Sequence, residues 1–193
     1  MKLPNGGQPN RGKWPLFKPR ATAESRPDSL PRLLPSDVRV FEIEPEVTVG
    51  SNRGAVMLSW RGSPTVDALR RLDGYTARVL EEHPRVVVLV VIEPGNTQTP
   101  SAEARAEYGR LTQKYESVCA GIGTILEGDS VKQTIVRFSL TTIQLLSSTN
   151  MPQPVFDSMQ AGARWAAQHL PPLTVREIVH SLSGLRALKY AEP

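Results

Sequence analysis

The stretch Arg85-Val-Val-Val-Leu-Val-Val-Ile-Glu-Pro-Gly95 decides the fold of this chain. Its seven consecutive apolar residues, Val86–Ile92, are nearly all β-branched, and prolines bound the run on both sides. Such a run predicts a β-strand that is buried on both faces, as found at the centre of α/β sheets with helices before and after. Because seven residues are far too few to cross a bilayer, the run does not indicate a membrane span.

The residues before this strand predict an antiparallel start to the sheet. Apolar and polar residues alternate over 38–43 and continue at Val47 and Val49, a pattern typical of strands at a sheet edge. The turn residues Gly50-Ser-Asn-Arg-Gly54 follow, and 55–60 is then the returning strand of a hairpin.

Helical spacing of apolar residues alternates with short strands through the rest of the chain. The predicted helices cover about 64–82, 100–118, 131–147, 159–170 and 175–188. Strands are predicted at 119–126 and 152–156, and the connection into the central strand is expected to be a right-handed crossover between parallel strands. The last helix either completes the core or serves as a docking element.

Capping residues place the helix starts. Ser63 and Thr99, each followed by proline, are predicted N-caps of the first two helices, and Thr174 is the predicted cap of the last one. Asp157 or Ser158 is expected to cap the helix that begins at Met159. The predicted fold class is therefore α/β, with a mixed, mostly parallel sheet, an antiparallel N-terminal hairpin, helices packed on the sheet and an extra C-terminal helix.

Three regions divide the chain: an arm (1–37), a domain (38–170) and a C-terminal helix with its tail (171–193). The arm contains seven prolines, which interrupt regular structure, so we expect it to be extended or disordered. Residues 1–35 hold seven basic and two acidic side chains, a net charge of +5, whereas the remaining residues carry a net −1. These dispersed charges form no dense patch, and we therefore do not predict binding to nucleic acid.

The aromatic and aliphatic side chains of the arm are candidate partner contacts. Trp14, Leu16 and Phe17 lie among three cations in 13–20, and exposed aromatic residues in a flexible basic segment often anchor a partner. The alternative is that the three side chains fold back onto the domain's own surface.

Residue patterns for catalysis or metal binding are lacking in the sequence. His83, His169 and His180 have no partners at ligand spacing, so neither a metal nor another cofactor is predicted. Cys119 begins a buried strand and is interpreted as a core thiol, and as a single cysteine it excludes an internal disulfide. Gly121-Ile-Gly123 lacks the third glycine of a phosphate-binding loop and favours close helix packing instead.

The order of elements over 46–170 resembles the STAS fold, particularly the SpoIIAA-like domains. The most specific part is Val155-Phe-Asp-Ser-Met-Gln-Ala-Gly-Ala-Arg-Trp-Ala166, which is similar to the closing strand and helix of that family. The resemblance implies regulation through protein contact at the loop and helix that follow the central strand. It also implies phosphorylation of a serine or threonine in that loop, although the family's Asp-Ser-Ser-Gly-like sequence is absent here.

The loop that corresponds to this family site is 93–101, Glu-Pro-Gly-Asn-Thr-Gln-Thr-Pro-Ser. Its candidate partner-binding residues are Glu93, Asn96, Thr97, Thr99 and Ser101. The three hydroxyl residues could accept phosphate near a helix N-terminus, or serve only as caps and turn formers.

These observations predict a non-enzymatic, cytoplasmic regulatory or scaffolding module with protein partners, and with no transmembrane segment. One alternative is a structural subunit of a homo-oligomer or larger assembly, which would use the apolar face of 131–147 or the last helix. Another alternative is a small-molecule or lipid binder.

Overall fold

A computed structural model describes residues 34–93, 99–127, 149–171 and 173–188. Among these residues, six strands form one sheet in the order β1-β2-β3-β4-β5-β6. They are β1 Val38–Ile43, β2 Val47–Asn52, β3 Ala55–Trp60, β4 Val86–Ile92, β5 Cys119–Ile125 and β6 Val155–Phe156. The first three strands are antiparallel and the later pairings are parallel, which confirms the predicted α/β class and mixed sheet.

The hairpin between β2 and β3 is tighter than the sequence predicts. β2 continues to Asn52, so the turn consists of Arg53 and Gly54 rather than all of 50–54. Arg53 adopts a φ of 49°, the left-handed conformation that such a short turn requires. Only β1 lies at the sheet edge at this end; β2 is an inner strand between β1 and β3, which corrects the expectation that both are edge strands.

Four helices in the described residues pack on the sheet. They are α1 Val66–Glu82, α2 Ala102–Tyr115, α3 Met159–His169 and α4 Val175–Ala187. The predictions of Ser158 and Thr174 as N-caps are confirmed, whereas Thr65 caps α1 in place of Ser63. Each helix starts where a side-chain oxygen accepts a hydrogen bond from a backbone N–H group of the first turn. The helix predicted over 131–147 lies outside the described residues.

Apolar side chains form the interface between one face of the sheet and the helices α1 and α2. Val56 and Leu58 of β3 and Val88 of β4 point to this face and form a core with Ala68 and Val79 of α1. This packing follows from the alternation of side chains along each strand, which sends every second residue of β3 and β4 to the same side.

Glycines allow α3 and α4 to pack closely on the other face. A Cβ atom at Gly123 of β5 would lie 2.8 Å from the Trp165 ring, and one at Gly50 of β2 would lie 2.7 Å from a Leu185 methyl group. Gly121 has a φ of 154°, which favours glycine, beside the register shift between β4 and β5. The interpretation of these β5 glycines as sites of close helix packing is therefore confirmed.

The last helix is part of this core. Ile178, Leu182 and Leu185 of α4 are at most 1% exposed and face β2 and β3. Its apolar side is thus covered by the domain's own sheet, and only its polar side is open to a partner.

Candidate functional site

The carboxyl ends of the parallel strands lie at one edge of the sheet, where α/β proteins commonly place their functional loops. Glu93 follows β4 and Glu127 lies two residues beyond the end of β5, so the sheet brings the two carboxylates to the same edge. Arg186 in the last turn of α4 lies between them. This edge is our candidate functional site.

Arg186 binds both carboxylates with good geometry. Its Nε and Nη2 donate to the two oxygens of Glu93 at 2.8 and 2.7 Å, and its Nη1 donates to Glu127 Oε2 at 2.7 Å. Ser59 at the end of β3 donates its hydroxyl to Glu93 Oε1 at 2.5 Å. We call these four residues the carboxylate clamp. It joins α4 to the ends of β3, β4 and β5.

Burial and hydrogen bonding have opposite effects on Glu93. Its side chain is 19% exposed, and burial alone would raise the pKa of the carboxyl group. The hydrogen bonds from Arg186 and Ser59 stabilise the ionised form more strongly, so that the pKa of Glu93 lies below its ordinary value. The hydrogen bonds to Glu93 correspondingly raise the pKa of Arg186, against the effect of its burial. Glu93 and Arg186 therefore form an ionised pair at neutral pH.

The start of α2 fixes the other end of the loop that follows β4. Ser101 Oγ accepts the backbone N–H of Ala104 at 3.1 Å, so Ser101 is the N-cap. The sequence prediction that Thr99 caps this helix is therefore wrong, because the helix begins two residues later, at Ala102. Arg105 donates to the carbonyl oxygen of Pro100 at 2.7 Å. Thr99 and Ser101 remain exposed to solvent.

The sequence identified part of this edge. Glu93, Thr99 and Ser101 lie at the ends of one loop, whereas Asn96 and Thr97 are outside the described residues, as are Trp14, Leu16 and Phe17 of the arm. The sequence prediction missed the other three members of the clamp, Ser59, Glu127 and Arg186. Glu127 comes just after a predicted buried strand, as Glu93 does, and that shared position could have paired them. No comparable signal indicates Arg186, which is 93 residues from Glu93.

Among the described residues at this edge, the polar groups of the clamp already bind one another. Ser59 is 1% exposed and its hydroxyl already donates to Glu93, so a substrate could not reach it. Within the described ranges, no group of three or more His, Cys, Asp and Glu side chains is placed to hold a metal ion. On the α1 and α2 face, burial raises the pKa of the Cys119 thiol, which keeps it protonated at neutral pH.

Comparison with protein-family models, with curated proteins and with solved structures finds no match to this chain. Of the helices that the structure describes, none has both the length and the apolar character needed to span a bilayer. The case for a function therefore depends on the geometry of the site.

Proposed function

We propose that this chain is a non-enzymatic regulatory or scaffolding module that binds a protein partner at the carboxyl edge of its sheet. The binding surface consists of residues 93–101 and the first turns of α2. The observation that supports this proposal is that both ends of the loop are fixed by hydrogen bonds while exposed side chains lie beside them. The cytoplasmic location expected from the sequence is part of the same proposal.

Fixed loop ends reduce the entropic cost of recognition. Glu93 is held by the clamp at one end, and Ser101 is held by its cap bond to Ala104 at the other. When a partner binds here, fewer residues must become ordered than in a loop whose ends are not held. Less binding free energy is therefore lost to conformational entropy. Loops positioned by a rigid scaffold are a common location of binding residues.

The exposed residues at this edge are polar and suited to specific contacts. Thr99, Glu103 and Arg105 are open to solvent, and the first turn of α2 adds a helix N-terminus that favours negative charge. The side chains behind them have structural roles, since Glu93 accepts hydrogen bonds from both Ser59 and Arg186. This division between buried structural residues and solvent-exposed polar ones favours recognition over catalysis.

The resemblance to SpoIIAA-like domains adds a hypothesis of control by phosphorylation. Thr99 is exposed two residues before the N-cap, so a kinase could reach its hydroxyl group. A phosphate at Thr99 or Ser101 would add negative charge next to the N-terminus of α2, where the helix dipole stabilises it. The other predicted partner contacts are Asn96 and Thr97 of the loop and Trp14, Leu16 and Phe17 of the arm.

A matched pair of charge exchanges tests the proposed surface. The variant Glu103→Arg/Arg105→Glu changes the start of α2 and preserves net charge. The control Arg78→Glu/Glu81→Arg makes the same exchange at exposed positions near the end of α1, which leads into the opposite edge of the sheet. Crosslinking followed by mass spectrometry should recover a partner with the wild type and the control, but not with the α2 variant. Equal recovery with all three proteins would contradict the proposal.

Self-association through the last helix is less well supported by the geometry. The apolar side of α4 is buried against β2 and β3, so a contact through this helix would have to use its polar side. Sedimentation of the full chain at micromolar concentration measures its mass in solution, and a dimer that survives the α2 exchange would favour an assembly role.

A further inference from the structure

A cavity of about 140 Å³ lies between the sheet and the helices α1 and α2. Its wall is mostly apolar: Leu58, Val88 and Ile122 line it from the sheet, and Leu72, Leu111 and Tyr108 line it from the helices. The opposite face of the sheet is closely packed at its glycines, where Trp165 of α3 lies against Gly123 and Leu185 of α4 lies against Gly50.

The side chains of β4 differ in solvent exposure between the two faces of the sheet. Leu89 and Val91, which face α3 and α4, are at most 1% exposed. Val90 and Ile92, which face the cavity, are only half-buried. The carboxyl half of this central strand is therefore accessible from the cavity side.

Water is a poor occupant of this cavity, because most of the wall is apolar and three of its hydroxyl groups already have partners. Tyr108 donates to Gln153 Oε1 at 2.7 Å, and Thr112 donates to the carbonyl oxygen of Gly109 at 2.9 Å. Tyr115 donates to the carbonyl oxygen of Asp73 at 3.0 Å. An ordered water needs two to four polar partners, and a wall of this kind supplies few.

The size and the position of the cavity define the ligand. Its volume is close to the roughly 150 Å³ of an engineered apolar cavity that binds benzene or xenon. Trp60, Pro64, Ile92 and Pro100 line its end at the carboxyl edge of the sheet, so a ligand would enter beside the loop that follows β4. Asp73 and Arg105 also line the cavity, but Asp73 already binds Lys114 and Arg105 already donates to the carbonyl oxygen of Pro100. A charged ligand would therefore lose its hydration against a mostly apolar wall with little compensation.

We propose that this cavity is a binding site for a small uncharged apolar molecule about the size of one aromatic ring. This inference does not depend on the proposed partner surface, because ligand binding can be measured on the purified chain alone. The competing occupant is the protein's own segment 128–148, which lies outside the described residues. This segment is rich in apolar residues.

The test uses benzene as the probe and methyl NMR of the full-length protein as the readout. We expect saturable shifts of the methyl groups of Val88, Leu111 and Ile122, and no such shifts with benzoate. Ala104→Leu places a larger side chain at the cavity wall, and Ala106→Leu makes the same change on the exposed side of α2. Ala104→Leu should weaken benzene binding by about tenfold or more, while Ala106→Leu leaves it unchanged.

A second variant covers the case in which Ala104→Leu fails to fold. Val90→Phe extends the half-buried Val90 into the same space from the sheet side and should also weaken binding. The inference is overturned if benzene gives no saturable shifts with the wild type, as it would if residues 128–148 fill the cavity. It is also overturned if a folded cavity variant binds benzene as well as Ala106→Leu does.

Discussion

Replacement of Arg186 by methionine tests whether the carboxylate clamp holds the site together. The change removes three charge-assisted hydrogen bonds of 2.7–2.8 Å that Arg186 donates to Glu93 and Glu127. Loss of one partner costs about 3–5 kcal/mol for a fully buried ion pair and about 0–1 kcal/mol for an exposed one. Because the side chains are 22%, 19% and 32% exposed, we expect an intermediate loss of about 2–3 kcal/mol.

The pH dependence of this loss has a defined sign. Folding lowers the pKa of Glu93 from its ordinary value of 4.5, so the stability it contributes is present above that value and is lost as the pH falls through the folded pKa. In Arg186→Met, burial is no longer opposed by the arginine, and acidification relieves the cost of the carboxylate. The difference between wild type and variant should therefore be largest at pH 7 and shrink as the pH falls past the ordinary value of 4.5.

Urea denaturation followed by circular dichroism at pH 7 and at pH 3.5 measures both effects. At neutral pH the expected loss corresponds to a fall in Tm of roughly 4–12 °C for a chain of this size. Glu93→Gln in the Arg186→Met background should recover part of the loss, because the uncompensated charge is removed. A loss below about 0.5 kcal/mol at pH 7, or strictly additive effects of the two substitutions, would refute the reasoning.

Other features of the fold give further predictions. Gly123→Ala should destabilise the protein by about 1–3 kcal/mol in urea, because its Cβ would lie 2.8 Å from an indole carbon, whereas Gly74→Ala has no atom within 4 Å and should stabilise α1 by about 0.5–1 kcal/mol. Thr174→Ala removes a capping box and should cost about 0.5–2 kcal/mol in the same assay. Burial, with the nearby Glu42, raises the pKa of Tyr75 to about 12, and burial also raises that of Tyr108. The stability that these phenols contribute should be present below pH 10 and lost above it, and absorbance at 295 nm should show incomplete ionisation at pH 11 in the folded protein.

Local signals in the sequence were sufficient for most of the fold. The β-branched run at 86–92 predicts the central strand because only a strand buried on both faces combines that length with that composition. The capping residue Thr174 predicts the start of α4 correctly, because its partner Glu177 lies three residues along the same chain. At Thr99 the same type of evidence was misleading, since Ser101 offers an equivalent hydroxyl group two residues later and the helix starts there.

The features that were not predicted depend on pairs of residues that are distant in sequence. Arg186 reaches Glu93 and Glu127 only because α4 packs on the sheet with its last turn at the carboxyl edge. The cavity depends on how far α1 and α2 lie from the sheet, which the side-chain volumes on both sides determine together. Neither quantity is encoded in a local pattern, so periodicity and capping rules cannot recover it.

The clamp and the cavity meet at the same short segment, and this suggests how binding at one could affect the other. Glu93 belongs to the clamp, while Ile92 and Pro100 on either side of the loop line the cavity. A ligand that contacts Ile92 and Pro100 shifts the loop between two conformations only if its affinity for one conformation differs from its affinity for the other. By linkage, a partner on residues 93–101 would then change benzene affinity by the same factor by which benzene changes partner affinity. If the affinity for benzene is the same with and without a saturating partner, the two sites are not energetically coupled.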